Sequence, residues 1–149
     1  MAKTTRKADG AIAIQDSGEP RFAIDFDGME KSGRSASTIV ATRICGRCEA
    51  CMKFSKENQP YSHSASELMK QIATKCSREP AYLLPGTPVT EAVFRLMLAS
   101  NNRPMTVAEI QGGLGQAWAS VIYLKNLSDD VVLRMVSEPN EYFIGPTER

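Results

Sequence analysis

Cys45-Gly46-Arg47-Cys48-Glu49-Ala50-Cys51 places three thiols within seven residues, and Cys76 follows 25 residues beyond Cys51. A C-x2-C turn lets two thiolates converge on one tetrahedral metal ion, and Gly46 eases the tight backbone between them. Cys76 brings a ligand from a distant element. The remaining ligand is Cys51 or His63, the one imidazole in the chain. A soft, thiolate-rich set selects zinc or an iron–sulfur cluster over hard cations. C-x2-C-x2-C matches the first three ligands of a bacterial ferredoxin run, but the closing Cys-Pro is absent. Ordinary reduced thiols are the third reading, since free cysteine is among the most buried residue types. Cys45-Gly46-Arg47-Cys48 also has the C-G-x-C form of a dithiol catalyst, without the βαβ pattern that accompanies one. The expected metal ligands are Cys45, Cys48, Cys51 and Cys76, with zinc as cofactor and an iron–sulfur cluster as the alternative. Such a site fastens together a region too small to hold itself well.

Outward from the cysteines, Arg21–Asp27 alternates, with Phe22, Ile24 and Phe26 on one face of a predicted strand. Lys31-Ser32-Gly33-Arg34-Ser35 reads as a turn. Thr38–Ile44 is rich in β-branched residues and reads as a second strand running into Cys45. The pair predicts a β-hairpin that presents the first cysteines. Downstream, Ser64 and Glu67 stand at capping-box spacing, and Leu68, Ile72 and Cys76 follow on one helical face. Arg78-Glu79-Pro80 ends that helix and Leu84-Pro85-Gly86 turns the chain. Residues 1–20 read as a mobile tail.

Beyond Gly86, Thr87 and Pro88 predict an N-cap with proline at the first helical position. Val89, Val93, Leu96 and Met97 form the apolar stripe of that helix. Asn101–Pro104 closes it. Thr106 and Glu109 open another helix, which Gly112-Gly113-Leu114-Gly115 interrupts, because each interior glycine costs about 1 kcal/mol relative to alanine. Trp118, Val121, Ile122, Leu124 and Leu127 then suit a third helix, and Val131–Val136 with Tyr142–Ile144 a pair of strands. This order resembles the winged helix-turn-helix superfamily over about residues 87–145. The resemblance rests on Thr106–Ile110, the glycine turn ending at Leu114-Gly115, Ala119-Ser120-Val121, Leu124-Lys125-x-Leu127 and the terminal two-strand pattern. It implies a third helix that enters the DNA major groove and strands that form a wing.

A second local reading competes. Ser128 caps a helix whose first turn holds Asp129 and Asp130, favourably placed at its positive end. Val132 and Val136 then share a face and Pro139 stops it. On this reading the wing shrinks to Tyr142–Ile144, and residues 106–119 form one long helix.

The expected fold is therefore α+β. An N-terminal β-hairpin plus helix with a Cys metal site (residues 21–86) precedes a winged-helix-like three-helix unit with a small wing (residues 87–149).

The chain has 149 residues, 42% hydrophobic and 23% charged, with a net charge of +1. That suits one compact domain or two small ones and excludes a wholly disordered chain. No apolar run reaches the roughly 18 residues of a membrane span, and nothing resembles a signal peptide, so a cytoplasmic protein is expected. The +1 is a near-cancellation. Residues 1–86 carry 13 Lys and Arg against 10 Asp and Glu, and residues 87–149 carry 5 against 7. Within Gln116–Leu127 the single basic residue is Lys125, a poor endowment for phosphate contacts, which dominate DNA affinity. Arg43, Arg47, Lys53 and Lys56 instead surround the cysteines. Those four, with Lys125, are the candidate nucleic-acid contacts of a transcription-related regulator. The alternative is a protein-interaction adaptor or homodimer without nucleic-acid binding, or an iron–sulfur redox sensor. No small-molecule substrate is indicated. One histidine, with no G-x-S-x-G, H-E-x-x-H or P-loop, argues against an enzyme. Asp25 and Asp27 share a strand face opposite Phe22, Ile24 and Phe26, which fits solvated surface better than acid–base work.

Overall fold

The computed structural model describes residues 18–45, 48, 51, 63–118 and 128–147. Among them are a two-stranded antiparallel sheet and six α-helices. Strand β1 is Arg21–Ile24 and β2 is Ile144–Thr147. The helices are α1 (Phe26–Lys31), α2 (Ala36–Ala41), α3 (Ala65–Thr74), α4 (Val89–Ala99), α5 (Val107–Ala117) and α6 (Asp129–Ser137). A short 3-10 turn, Cys76–Arg78, follows α3.

The predicted hairpin does not form. Thr38–Ile44 falls in α2 and the turn after it, because Ser35 acts as N-cap, its side chain accepting from the Thr38 N–H. Ala36, Val40 and Ala41 are buried on one helical face, so packing at helical spacing overrides the β-branched content. Phe26 likewise leaves the strand. The Asp25 carboxylate accepts from the Gly28 N–H and starts α1 there.

β1 pairs instead with the last strand, Ile24 opposite Ile144 and Arg21 opposite Thr147. Phe22 also exchanges both backbone hydrogen bonds with Met105, at 2.8 and 2.9 Å. The outer edges of this small sheet are closed by two asparagines. Ile24 N–H donates to Asn102 Oδ1 (2.9 Å) and its carbonyl accepts from Nδ2 (3.0 Å). Across the sheet, Asn140 does the same for Ile144, at 3.1 and 2.8 Å. Each carboxamide occupies the place of a next strand. Pro146 has no N–H to offer, so neither edge presents a free ladder.

The helices follow their caps. Ser64 with Glu67 and Thr106 with Glu109 form complete capping boxes opening α3 and α5. α4 starts one residue later than expected: Pro88 is the N-cap, and the Thr87 hydroxyl donates back to the Leu84 carbonyl at 2.7 Å. It ends in two left-handed asparagines, Asn101 and Asn102, a conformation asparagine tolerates. α5 runs through its glycines without interruption. Gly113 lets α4 approach, since a Cβ there would lie 2.8 Å from the Leu96 side chain. The run Val131–Val136 is helix α6, capped by Ser128, with Val132 and Val136 buried. The predicted third helix at 118–127 lies outside the described residues except for Trp118, which is buried and donates from its indole to the Leu83 carbonyl at 3.0 Å.

One hydrophobic core spans the described chain, from Phe22, Met29 and Val40 through Leu68, Ile72, Phe94 and Met97 to Ile110, Val132 and Ile144. The first and last strands pair, and α3 packs on both α2 and α4. The core is therefore continuous across residue 86. No described helix is long and apolar enough to cross a membrane.

Candidate metal centre

Cys45 follows the turn that ends α2, and Cys76 opens the 3-10 turn that ends α3. Because α2 packs on α3, these two arms converge, and Cys48 and Cys51 complete the group. The sulfur atoms of Cys45, Cys48, Cys51 and Cys76 all lie within 4.8 Å of one another, positioned to bind a metal ion. Cys51 and Cys76 are buried, whereas Cys45 and Cys48 are partly exposed. None of the four is in a disulfide.

N–H donors surround the group. Cys48 N–H donates to Cys45 Sγ at 3.3 Å, and Cys45 N–H to Cys76 Sγ at 3.2 Å. Gln71, on α3, donates from Nε2 to Cys48 Sγ at 3.4 Å and Cys51 Sγ at 3.5 Å. Cys51 Sγ and Cys76 Sγ stand 3.2 Å apart. Every sulfur thus accepts at least one N–H. Burial pushes the Cys48 and Cys76 thiols above the ordinary thiol range, and the neighbouring sulfurs push the same way. Four thiolates this close repel one another. A bound metal ion would stabilise the ionised set, and its binding would expel the protons.

His63 is not part of the cluster. It sits one residue before the Ser64 cap, with Nδ1 3.4 Å from Glu67 Oε1. Cys51 is the member that completes the set.

Of the five basic residues singled out in the sequence, Arg43 is described, and it faces inward. Its Nε and Nη2 grip Glu91 Oε2 and Oε1 at 3.1 and 2.7 Å. Its Nη1 donates to the Ile39 carbonyl at 3.1 Å and the Thr42 hydroxyl at 3.0 Å. The guanidinium lies 4.9 Å from the Phe94 ring centroid. Glu91 also accepts from Arg95 Nε at 2.8 Å. Burial opposes ionisation of Glu91, but the hydrogen bonds from Arg43 and Arg95 outweigh it and hold its carboxyl below the usual range. This network ties the chain just before Cys45 to α4. Arg47, Lys53, Lys56 and Lys125 lie outside the described residues.

Sequence reasoning missed Gln71 and Glu91. No motif marks a glutamine that donates to sulfur, and the available signal was only its place on the capped helix that delivers Cys76. Asp25 is the cap of α1 and Asp27 lies in that helix's first turn, so their shared face does not persist. Scans against protein-family models, the curated proteins and the solved structures each found no match for this chain.

Proposed function

We propose that this protein is a zinc-clasped, non-catalytic binding module that works as a protein-interaction adaptor in a reducing compartment such as the cytoplasm. The observation that carries the metal reading is the sulfur spacing. One tetrahedral zinc with Zn–S bonds of about 2.3 Å holds its sulfurs about 3.8 Å apart, in keeping with four sulfurs all within 4.8 Å. A four-iron cluster places each thiolate on a different iron and spreads the sulfurs further, which favours zinc over the iron–sulfur alternative. Four protein thiolates leave no open position on the ion, so its contribution is folding free energy rather than substrate activation. Cys45, Cys48, Cys51 and Cys76 hold it and join the end of α2 to the end of α3.

The choice of partner follows from α6. Among the described residues, α4, α5, α6 and β2 follow in an order compatible with a winged helix-turn-helix, and α6 is the helix between α5 and β2 whose outer face is described. Its exposed residues are Asp129, Asp130, Val131, Leu133, Arg134 and Ser137. Val131 and Leu133 remain 38% and 41% exposed. Two carboxylates beside two apolar side chains repel phosphate and suit a protein surface. Arg43, engaged with Glu91, adds nothing to a nucleic-acid face.

The basic residues interleaved with the cysteines support a second reading, a transcription-related regulator that contacts nucleic acid through Arg47, Lys53 and Lys56. Fluorescence anisotropy with labelled duplex DNA, single-stranded DNA and RNA separates the two. The adaptor reading predicts no binding even at low salt. Binding that falls steeply with salt and disappears in an R47E/K53E/K56E variant would replace it with the nucleic-acid reading. Sedimentation analysis tests the homodimer form of the adaptor, which predicts a dimer that Leu133→Asp returns to monomer.

A further inference from the structure

Gln71 stands out among the groups around the cysteines because it is a side chain, free to be any residue, aimed at two sulfurs at once. Its neighbours Leu68 and Ile72 are the α3 residues buried in the core, whereas Gln71 is only partly buried. Packing of α3 therefore does not account for a glutamine at this position. The carboxamide's orientation follows from charge, since a carbonyl oxygen turned toward sulfur would meet electron density, whereas the NH2 group meets an acceptor.

With zinc bound, four thiolates and one dication carry a net charge of −2. The Cys45, Cys76 and Cys48 sulfurs receive backbone N–H groups, from Cys48, Cys45 and Cys51 respectively, and Cys51 Sγ has its N–H donor from Gln71. Cys48 and Cys51 sulfurs receive the Gln71 carboxamide, at 3.4 and 3.5 Å. One residue thus supplies a donor to both ligands of the second C-x2-C step. Hydrogen bonds to metal ligands fix their orientation and withdraw charge from them, and removing one typically weakens metal affinity about 10–100-fold.

We propose that Gln71 is a positioning residue of the metal centre, holding Cys48 and Cys51 in place and offsetting the thiolate charge so that the ion is retained. This rests on the reading of the four thiols as a metal site. α3 then serves the centre twice, delivering Cys76 from its C-terminal end and the carboxamide from its side.

The test is metal affinity of the full chain, measured by competition with a chromophoric chelator for zinc. It is paired with the thiolate-to-metal charge-transfer band of the cobalt(II)-loaded form. Three variants separate donation from packing. Gln71→Met keeps length and helix propensity but removes the donor. Gln71→Glu removes the donor and adds like charge. Gln71→Lys restores an N–H donor with positive charge. The expected order of affinity is wild type and Gln71→Lys together, then Gln71→Met about 10-fold or more weaker, then Gln71→Glu weaker still. The cobalt band shifts in Gln71→Met and Gln71→Glu. Wild type that binds one ion, with all three variants matching its affinity and band, overturns the role of Gln71 and leaves the metal centre standing. Loss of affinity in Gln71→Lys equal to that in Gln71→Met assigns the effect to packing and also overturns it. Wild type that binds no metal overturns both readings.

Discussion

Replacing Arg43 by methionine removes a guanidinium that the sequence placed on the nucleic-acid face and the fold places against Glu91. The pair is well shielded, with side chains 17% and 15% exposed and the shorter contact at 2.7 Å. A hydrogen bond to a charged group contributes about 1.5–3 kcal/mol, and removing one partner of a fully buried pair costs about 3–5 kcal/mol. Here Arg95 remains on Glu91 at 2.8 Å, so the carboxylate is not orphaned, and methionine still covers part of Phe94. Arg43→Met should therefore cost about 2–3 kcal/mol, from the lower end of the cited ranges. Glu91→Gln leaves two guanidinium groups without their carboxylate and should cost about 3 kcal/mol. The double variant should cost less than the sum by about 1–2 kcal/mol, the signature of a direct contact. Urea unfolding of the four metal-loaded proteins reads these differences, provided the slopes agree. Glu91 is held below its ordinary range in the folded chain, so its contribution is fully present above the unfolded carboxylate pKa. That contribution is lost as pH falls through the lower, folded value. The gap between wild type and Glu91→Gln should accordingly narrow in acid, below about pH 4. An Arg43→Met cost under about 0.5 kcal/mol, the size typical of an ordinary surface change, would refute the inward placement and return Arg43 to the candidate contacts.

Other consequences follow from single positions. Cβ atoms at Gly112 and Gly115 would meet nothing within 4 Å, whereas one at Gly113 would crowd Leu96. Gly112→Ala and Gly115→Ala should each stabilise the fold by about 0.5–1 kcal/mol, with Gly113→Ala ranking below both. Equal gains at all three in thermal unfolding would contradict the α4–α5 approach. Asn102→Ala and Asn140→Ala each leave a strand N–H and carbonyl without their partner. Each should cost about 1–3 kcal/mol and speed hydrogen exchange at Ile24 or Ile144 respectively. Because burial raises the Cys48 and Cys76 thiols, metal must displace protons from sulfur. Chelator competition should find affinity falling as pH falls, by up to about tenfold per pH unit for each thiol that ionises.

The parts of the fold written in local chemistry were readable in advance. Ser64 with Glu67 and Thr106 with Glu109 announce their helices by side-chain spacing alone, and Ser128 with Asp129 and Asp130 did so as the second of two readings. The cysteine set was legible as well, down to Cys76. What escaped depends on contacts distant in sequence. Thr38–Ile44 looks like a strand until Ala36 and Val40 are seen to face a common core. β1 reads correctly as a strand, but nothing local says that its partner lies more than a hundred residues away. Three glycines in four positions argue against a helix, yet α5 runs through them; the approach of Leu96 accounts for Gly113, and nothing in the structure explains Gly112 or Gly115. Arg43 is indistinguishable in sequence from the other basic residues near the cysteines. Only the packing of α4 brings Glu91 and Phe94 to it.

Metal content of the freshly purified full chain, with Cys45→Ser beside it, decides whether the four thiols hold zinc. A zinc clasp requires one zinc per chain in the wild type, no inorganic sulfide, and a large loss of zinc in Cys45→Ser. Iron with stoichiometric sulfide, or neither metal in a protein whose four thiols all titrate freely, would contradict it.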